Sequence, residues 1–143
     1  MDISGLIHAN RGFVGTLGVR VLTEDPAVLR LDAGPELHNH LGGPHAAAIF
    51  GLGETTAFVV LLRVFGDLVE GGAVPLVKSS QIAYSAVATG PLLGQGQLGA
   101  DEASARTALE AKGRCTFAIE VRFRREADAV ETAVATYVMA LRR

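Results

Sequence analysis

The sequence predicts an α+β domain in which an antiparallel sheet curves around one long apolar helix. From Ala46 to Leu62 every residue is apolar, glycine or threonine except Glu54, a composition that belongs to a helix wrapped by protein on all sides. Between Cys115 and Arg124, the residues Cys115, Phe117, Ile119, Val121 and Phe123 alternate strictly with Thr116, Ala118, Glu120, Arg122 and Arg124. That period of two puts one face of a strand on a core. In AVETAVATYVMAL the β-branched residues Val130, Thr132, Val134, Thr136 and Val138 fall at every second position, so an alanine-rich segment reads as a strand.

Residues 1–12 are mixed, with Ile3, Leu6 and Ile7 spaced to line one side of a short helix. Val14–Thr23 alternates, Leu17, Val19 and Val21 against Thr16, Gly18 and Arg20, and reads as a strand. Glu24-Asp25-Pro26 turns the chain into a second strand over Ala27–Asp32, which Ala33-Gly34-Pro35 stops. Gly42-Gly43-Pro44 opens the long helix, Pro44 in its first turn lacking only an N–H that would be unpaired there. Gly66 and Gly71-Gly72 close it, with Asp67–Glu70 as a last turn or loop. Leu76–Val87 reads as a strand, broken by Gly90-Pro91; Leu92–Ala100 follows as another, weakened by Gly94, Gly96 and Gly99. Asp101 caps a short peripheral helix, EASARTALEAK, that Gly113 ends. The last two strands meet through Glu126-Ala127-Asp128, giving the order β-β-α-β-β-α-β-β.

A chain of 143 residues fits a single domain over residues 1–143, with 1–12 only loosely assigned, and buries about two thirds of its unfolded surface. The apolar stretch of 17 residues spans roughly 25 Å, short of a bilayer core, and a central Glu there would cost a few kcal/mol. No membrane partner is expected. A net charge of −2 gives no counterion-releasing footprint for nucleic acid. Cys115 is the only cysteine, so neither an internal disulfide nor a four-cysteine zinc site can form, which fits a reducing compartment. Met1–Asn10 carries Asp2 and no Lys or Arg, unlike a secretory signal, and a cytoplasmic location is expected.

Glu54 is the first functional candidate. Its i±3 and i±4 neighbours are Phe50, Gly51, Ala57 and Phe58, and a carboxylate on such a face must find donors or titrate higher. Ahead of the helix lie His38, Asn39, His40 and His45. A His-x-His pair on extended chain points both rings one way, but no acidic residue follows closely and no helical two-histidine motif occurs; neither metal nor cofactor is assigned. There is no Gly-x-Ser-x-Gly, and Cys115 on an apolar strand face reads as a buried inert thiol. Gly94-Gln95-Gly96 lies in a strand pattern and is no phosphate loop. Arg122, Arg124 and Arg125 fit a solvated strand face at least as well as a phosphate contact.

In HNHLGGPHAAAIFGLGE, the set Asn39, Gly42-Gly43, His45-Ala46 and, nine residues after His45, Glu54 resembles the hotdog-fold superfamily. The likeness is specifically to its thioesterases of the phenylacetyl-CoA type, in an uncharacterised branch that carries Glu. The family pattern is an Asn, a Gly-rich turn, a His-Gly step at the helix start and an acidic residue nine after the His. This chain departs from it at Ala46, usually Gly, and at Glu54, which is Asp in the best-known enzymes. The resemblance runs from about Val14 to Leu141. It implies a curved antiparallel sheet wrapped around the central helix, a homodimer or dimer of dimers with active sites at the shared face, and an acyl-CoA or other thioester substrate.

By the same resemblance Glu54 is general base or nucleophile, Asn39 orients the water or carboxylate, the Ala46 N–H is an oxyanion donor and His45 supports the thioester. Gly42 and Gly43 shape the substrate turn, and Ser79 and Ser80 occupy a strand from which related enzymes supply a polar helper. The first N–H groups of a helix are unpaired and lie at its positive end. Glu54 sits two turns further on, roughly 12–14 Å away in one protomer, so the resemblance pairs it with Asn39 and the helix start of a second subunit. A thioester hydrolase is one reading. A hotdog module that binds an acyl-CoA or related acyl ligand without turnover is the other; a hydratase is disfavoured because no His and acid stand at the hydratase spacing.

Overall fold

The computed structural model describes residues 1–143. In chain order it forms α1 (Ile3–His8), α2 (Phe13–Leu17), β1 (Arg20–Glu24), β2 (Ala27–Leu31), a 3-10 turn at Pro35–Leu37, and α3 (Ala46–Glu70). There follow β3 (Val74–Tyr84), β4 (Leu92–Leu98), α4 (Glu102–Lys112), β5 (Arg114–Arg125) and β6 (Glu131–Arg142). One six-stranded sheet has the order β1-β2-β4-β5-β6-β3, with every neighbouring pair antiparallel. It curves around α3, as expected of a hotdog fold. Alternation sends Phe117, Ile119, Val121 and Phe123 of β5 and Tyr137, Met139 and Leu141 of β6 into the core against the helix.

The glycines that read as weakening β4 let the helix lie close. A Cβ on Gly96 would stand 2.6 Å from the Val60 side chain, and one on Gly53 of the helix would stand 2.2 Å from the Tyr137 hydroxyl. The arginines of β5 are engaged on the outer side. Arg122 pairs with Glu120 and Glu131, Arg124 with Gln95 and Arg125 with Asp128, as a solvated strand face requires.

Three expectations are corrected. Val14–Thr23 is not one strand: α2 continues to Leu17, and Gly18 (φ 69°) takes the left-handed conformation that ends it. Leu17 is drawn into the helix by its seat against Gly51 of α3. The long helix runs 25 residues and closes at Gly71, as one of the two expected stops, so Asp67–Glu70 is its last turn; Gly66 does not break it, and Phe65 alone departs from helical dihedrals (φ −122°, ψ 17°). Pro44 lies just ahead of the helix, whose cap is His45. Finally, α4 is no decoration, since it buries Ala105 and Leu109 and sends Arg106 to Asp67 and to the Val64 carbonyl.

The longer helix spans roughly 37 Å, which removes the argument from length against a bilayer. Burial takes its place, because 72% of its most apolar window is covered by the rest of the protein.

Candidate functional site

Asn39 buckles the loop before α3. Its N–H donates to the Gly43 carbonyl (2.8 Å) and its own carbonyl accepts from Gly42 (3.1 Å). Its side-chain oxygen accepts the N–H groups of Leu41 (2.8 Å) and Gly43 (3.3 Å), while Nδ2 donates to the Pro44 carbonyl (3.4 Å). One amide hydrogen of Asn39 is left for anything else. Gly42 turns the loop at φ 76°, and Gly43 lies so close to the Ala88 carbonyl that a Cβ would stand 2.2 Å from it.

His45 is extended (φ −64°, ψ 146°) and caps the helix by accepting the Ala47 N–H on Nδ1 at 3.0 Å. With Nδ1 as acceptor, a neutral ring carries its proton on Nε2. The His45 N–H donates to the Leu37 carbonyl at 2.8 Å. That leaves the Ala46 N–H as the donor at the helix start with no acceptor in the protomer, exposed and at the positive end of the macrodipole. Tyr84 adds a group that the sequence reading passed over: its hydroxyl donates to the Ala46 carbonyl at 3.3 Å. Nothing but its position at the end of β3 could have marked it, and that depends on a strand register invisible in the sequence.

Glu54 stands on the side of α3 that faces away from the sheet centre. The buried setting that its neighbours implied does not exist within the protomer: the residue is exposed and makes no hydrogen bond. It opens on an apolar cleft of about 360 Å³ lined by Leu6, Ile7 and Phe13 of the N-terminal helices, by Phe58 of α3, and by Val77 and Met139 of the sheet. Its charge is felt one turn away at Tyr137, whose hydroxyl donates to the Phe50 carbonyl at 2.8 Å. Burial first, and the Glu54 charge second, hold that hydroxyl well above the ordinary tyrosine range.

The structure separates the two serines. Ser80 lies opposite Tyr137 in register and shares its helix-facing side, whereas Ser79 lies opposite Val138 on the outer side. Neither lines the cleft. The histidines do not converge: the His38 ring meets the Ala33 carbonyl (3.0 Å), the His45 ring closes the cap, and no three His, Cys, Asp or Glu side chains form a metal-sized group. Cys115 is buried and its thiol titrates above its usual range for that reason. The helix therefore carries two separate features, the loop with the Ala46 N–H at its start and, eight residues on, Glu54 with its cleft.

The chain resembles solved structures over nearly its whole length. A Pseudomonas aeruginosa protein of unknown function, described as a probable thioesterase, superposes with a TM-score of 0.83 at 24% identity, covering 98% of this chain and 93% of that one. Zebra fish thioesterase superfamily member 2 gives 0.71 at 18% identity, with 95% and 91% covered. The Escherichia coli PaaI protein of the phenylacetic acid degradation operon gives 0.70 at 14%, with 96% and 88% covered. At these identities the likeness is one of fold, and it is the hotdog fold. No curated relative matches the sequence. A family model described as domain of unknown function DUF4442 matches residues 3–139, and the chain thus belongs to the DUF4442 family, built on a hotdog fold.

Proposed function

We propose that the protein hydrolyses thioesters, with acyl-CoA esters as the substrate class, at a site shared by two protomers. The observation that carries this is the pairing of two uncommitted groups on one helix: the Ala46 N–H without an acceptor and Glu54 without a donor, the latter at the mouth of an apolar cleft. The substrate carbonyl oxygen sits at the Ala46 N–H, where the helix start stabilises developing negative charge. Glu54 of the facing protomer takes a proton from water as the water oxygen bonds to the carbonyl carbon. Collapse of the tetrahedral intermediate breaks the C–S bond, and the sulfur leaves with the proton that Glu54 held. The products are one carboxylic acid and one thiol. The free amide hydrogen of Asn39 orients the water, and His45 holds the cap that keeps the Ala46 N–H aimed outward.

A second reading has one observation in its favour. Asn39 already spends its oxygen and one of its hydrogens inside its own loop, as a residue with only a structural role would, so a protein that binds an acyl-CoA without turning it over fits this loop too. CoA release from a panel of aryl and short-to-long acyl-CoAs separates the two. Hydrolysis that falls at least about a hundredfold in Glu54→Gln, with the fold intact, is the expected result. Wild type and variant equally inactive across the panel, while still binding a CoA ester, would replace the hydrolase with the binding module.

A further inference from the structure

The sheet carries a second feature on the side that faces away from α3. Strands β5 and β6 pair so that Arg114 lies directly opposite Arg142, and both point outward, because their neighbours Cys115 and Leu141 are buried in the core. One row further in, Leu76, Ala140 and Thr116 stand side by side across β3, β6 and β5. Lys78 joins them as the extra residue of a bulge, where the register of β3 slips between Val77 and Ser79. The small side chain of Ala140 leaves a dip between Leu76 and Thr116. It is the floor of a pocket of about 250 Å³ with Lys78, Arg114 and Arg142 standing round it.

Three cations in one pocket are an arrangement that the fold does not require. Like charges directly opposite on neighbouring strands repel. Six other arginines are each given a carboxylate: Arg20 and Arg30 hold Asp32, Arg63 holds Asp25, Arg106 holds Asp67, Arg122 holds Glu131 and Arg125 holds Asp128. Lys78, Arg114 and Arg142 have no such partner, and no Asp or Glu lines the pocket. The chain as a whole carries a net charge of −2, so the corner is no local sample of a basic protein.

Its donors suit a multiply charged oxyanion. Each guanidinium presents a planar fork of N–H groups that matches phosphate oxygens two at a time, the lysine adds a point charge, and the Thr116 hydroxyl lies at the floor. A single carboxylate would neutralise only one of the three cations. The volume falls below the ~300–1,000 Å³ of pockets that enclose a whole ligand, which fits a charged head whose remainder lies outside. We infer that this corner is a binding site for a phosphoryl group, as a diphosphate or a phosphomonoester, carried by a free small molecule or by a lipid headgroup. The sheet stands between it and the cleft of Glu54, so the site goes beyond the thioester reading and stands without it.

Inorganic pyrophosphate, titrated into the full chain by calorimetry at low ionic strength, is the first probe. Wild type is expected to bind it at least about tenfold more tightly than acetate. Arg114→Gln and Arg142→Gln each weaken pyrophosphate about tenfold or more, whereas Arg124→Gln, on the same face of β5 but engaged with Gln95 outside the pocket, leaves it unchanged. Melting gives a second readout: pyrophosphate raises the thermal midpoint of wild type and not that of Arg114→Gln. Without ligand, Arg114→Gln melts no lower than wild type, since it relieves a repulsion and breaks no ion pair. Flotation with phosphatidylcholine vesicles, with and without phosphatidic acid, tells the two sources apart. A chain that binds pyrophosphate and ignores the acidic vesicles takes a free ligand; one that floats with them as wild type and not as Arg114→Gln takes a headgroup.

The inference is overturned if wild type binds neither probe, if Arg124→Gln weakens binding as much as Arg114→Gln, or if binding is lost in Glu54→Gln and kept in Arg114→Gln. The hydrolase fails separately. Pyrophosphate held by a protein that turns over no thioester removes the hydrolase and leaves the site, and thioester turnover without phosphoryl binding does the reverse.

Discussion

In the proposed chemistry a single hydrogen atom, the one on the Ala46 nitrogen, makes an ordinary helix start into an oxyanion site. It is free because its neighbours are not: the His45 N–H goes to Leu37 and the Ala47 N–H to the His45 ring. Ala46→Pro removes that hydrogen and little else. Proline is tolerated at the first helical position, and the residue before it must be extended, which His45 already is (φ −64°, ψ 146°). The expected outcome is a loss of about 10²–10³ in kcat with an unchanged thermal midpoint, checked by steady-state kinetics beside a melting curve. Unaltered turnover would remove Ala46 from the chemistry. Glu54 was legible in the sequence because it is the lone carboxylate of an apolar run. The committed state of Asn39 and the reach of Tyr84 were not, since both depend on which carbonyl a loop or strand end happens to meet.

At the scale of elements, β5, β6 and α4 could be read directly, because strict alternation and a cap at each end leave one solution. What escaped were segments decided by a distant partner. Leu17 of α2 is set by Gly51 of α3, and the last turn of α3, past Gly66, is held where Phe65 packs on Phe117 at 4.8 Å between ring centroids and Arg106 of α4 lies 5.4 Å over the same ring while it donates to Asp67 at 2.8 Å. The guanidinium holds the Asp67 carboxyl below its ordinary 3.8. A folded-state value below the unfolded one means that this pair's stabilisation is fully present above about pH 4 and is lost as pH falls through the lowered value. The Asp67 side chain is 64% exposed, so the contribution is under about 1 kcal/mol. Urea midpoints of wild type and Asp67→Asn are expected to differ by a constant amount near neutrality and to converge as pH falls through the lowered Asp67 value. A gap that persists unchanged into acid would assign the difference to something other than this carboxylate.

For the whole molecule the decisive length is the distance from Ala46 to Glu54. Eight residues of helix separate Ala46 from Glu54, about 12 Å, too far for one carbonyl to touch both, so the proposed chemistry needs a second copy with the opposite half-site brought to each end. Strand β3 ends the sheet with its ladder unpaired and with Val74, Leu76, Val77 and Tyr84 exposed, an edge that proteins ordinarily cover. Helix arithmetic and the family likeness lead from the sequence to the proposal of two subunits, but they do not mark a surface for them to meet, because exposure on an edge strand is set by the strand order. A symmetric dimer makes the claim quantitative. Glu54→Gln and Ala46→Pro are each expected to be inactive, yet each spoils a different half of both sites. In a dimer that exchanges subunits randomly, half of the molecules carry one copy of each variant, and in those one of the two sites combines an intact Glu54 with an intact helix start. Equimolar mixing should therefore restore about a quarter of wild-type turnover, read as CoA release after exchange has been verified by mass spectrometry. No recovery despite exchange, or sedimentation of an active protein only as the 14.9 kDa chain, would place the whole site within one protomer, and the 12 Å gap would then have to be bridged by the substrate itself.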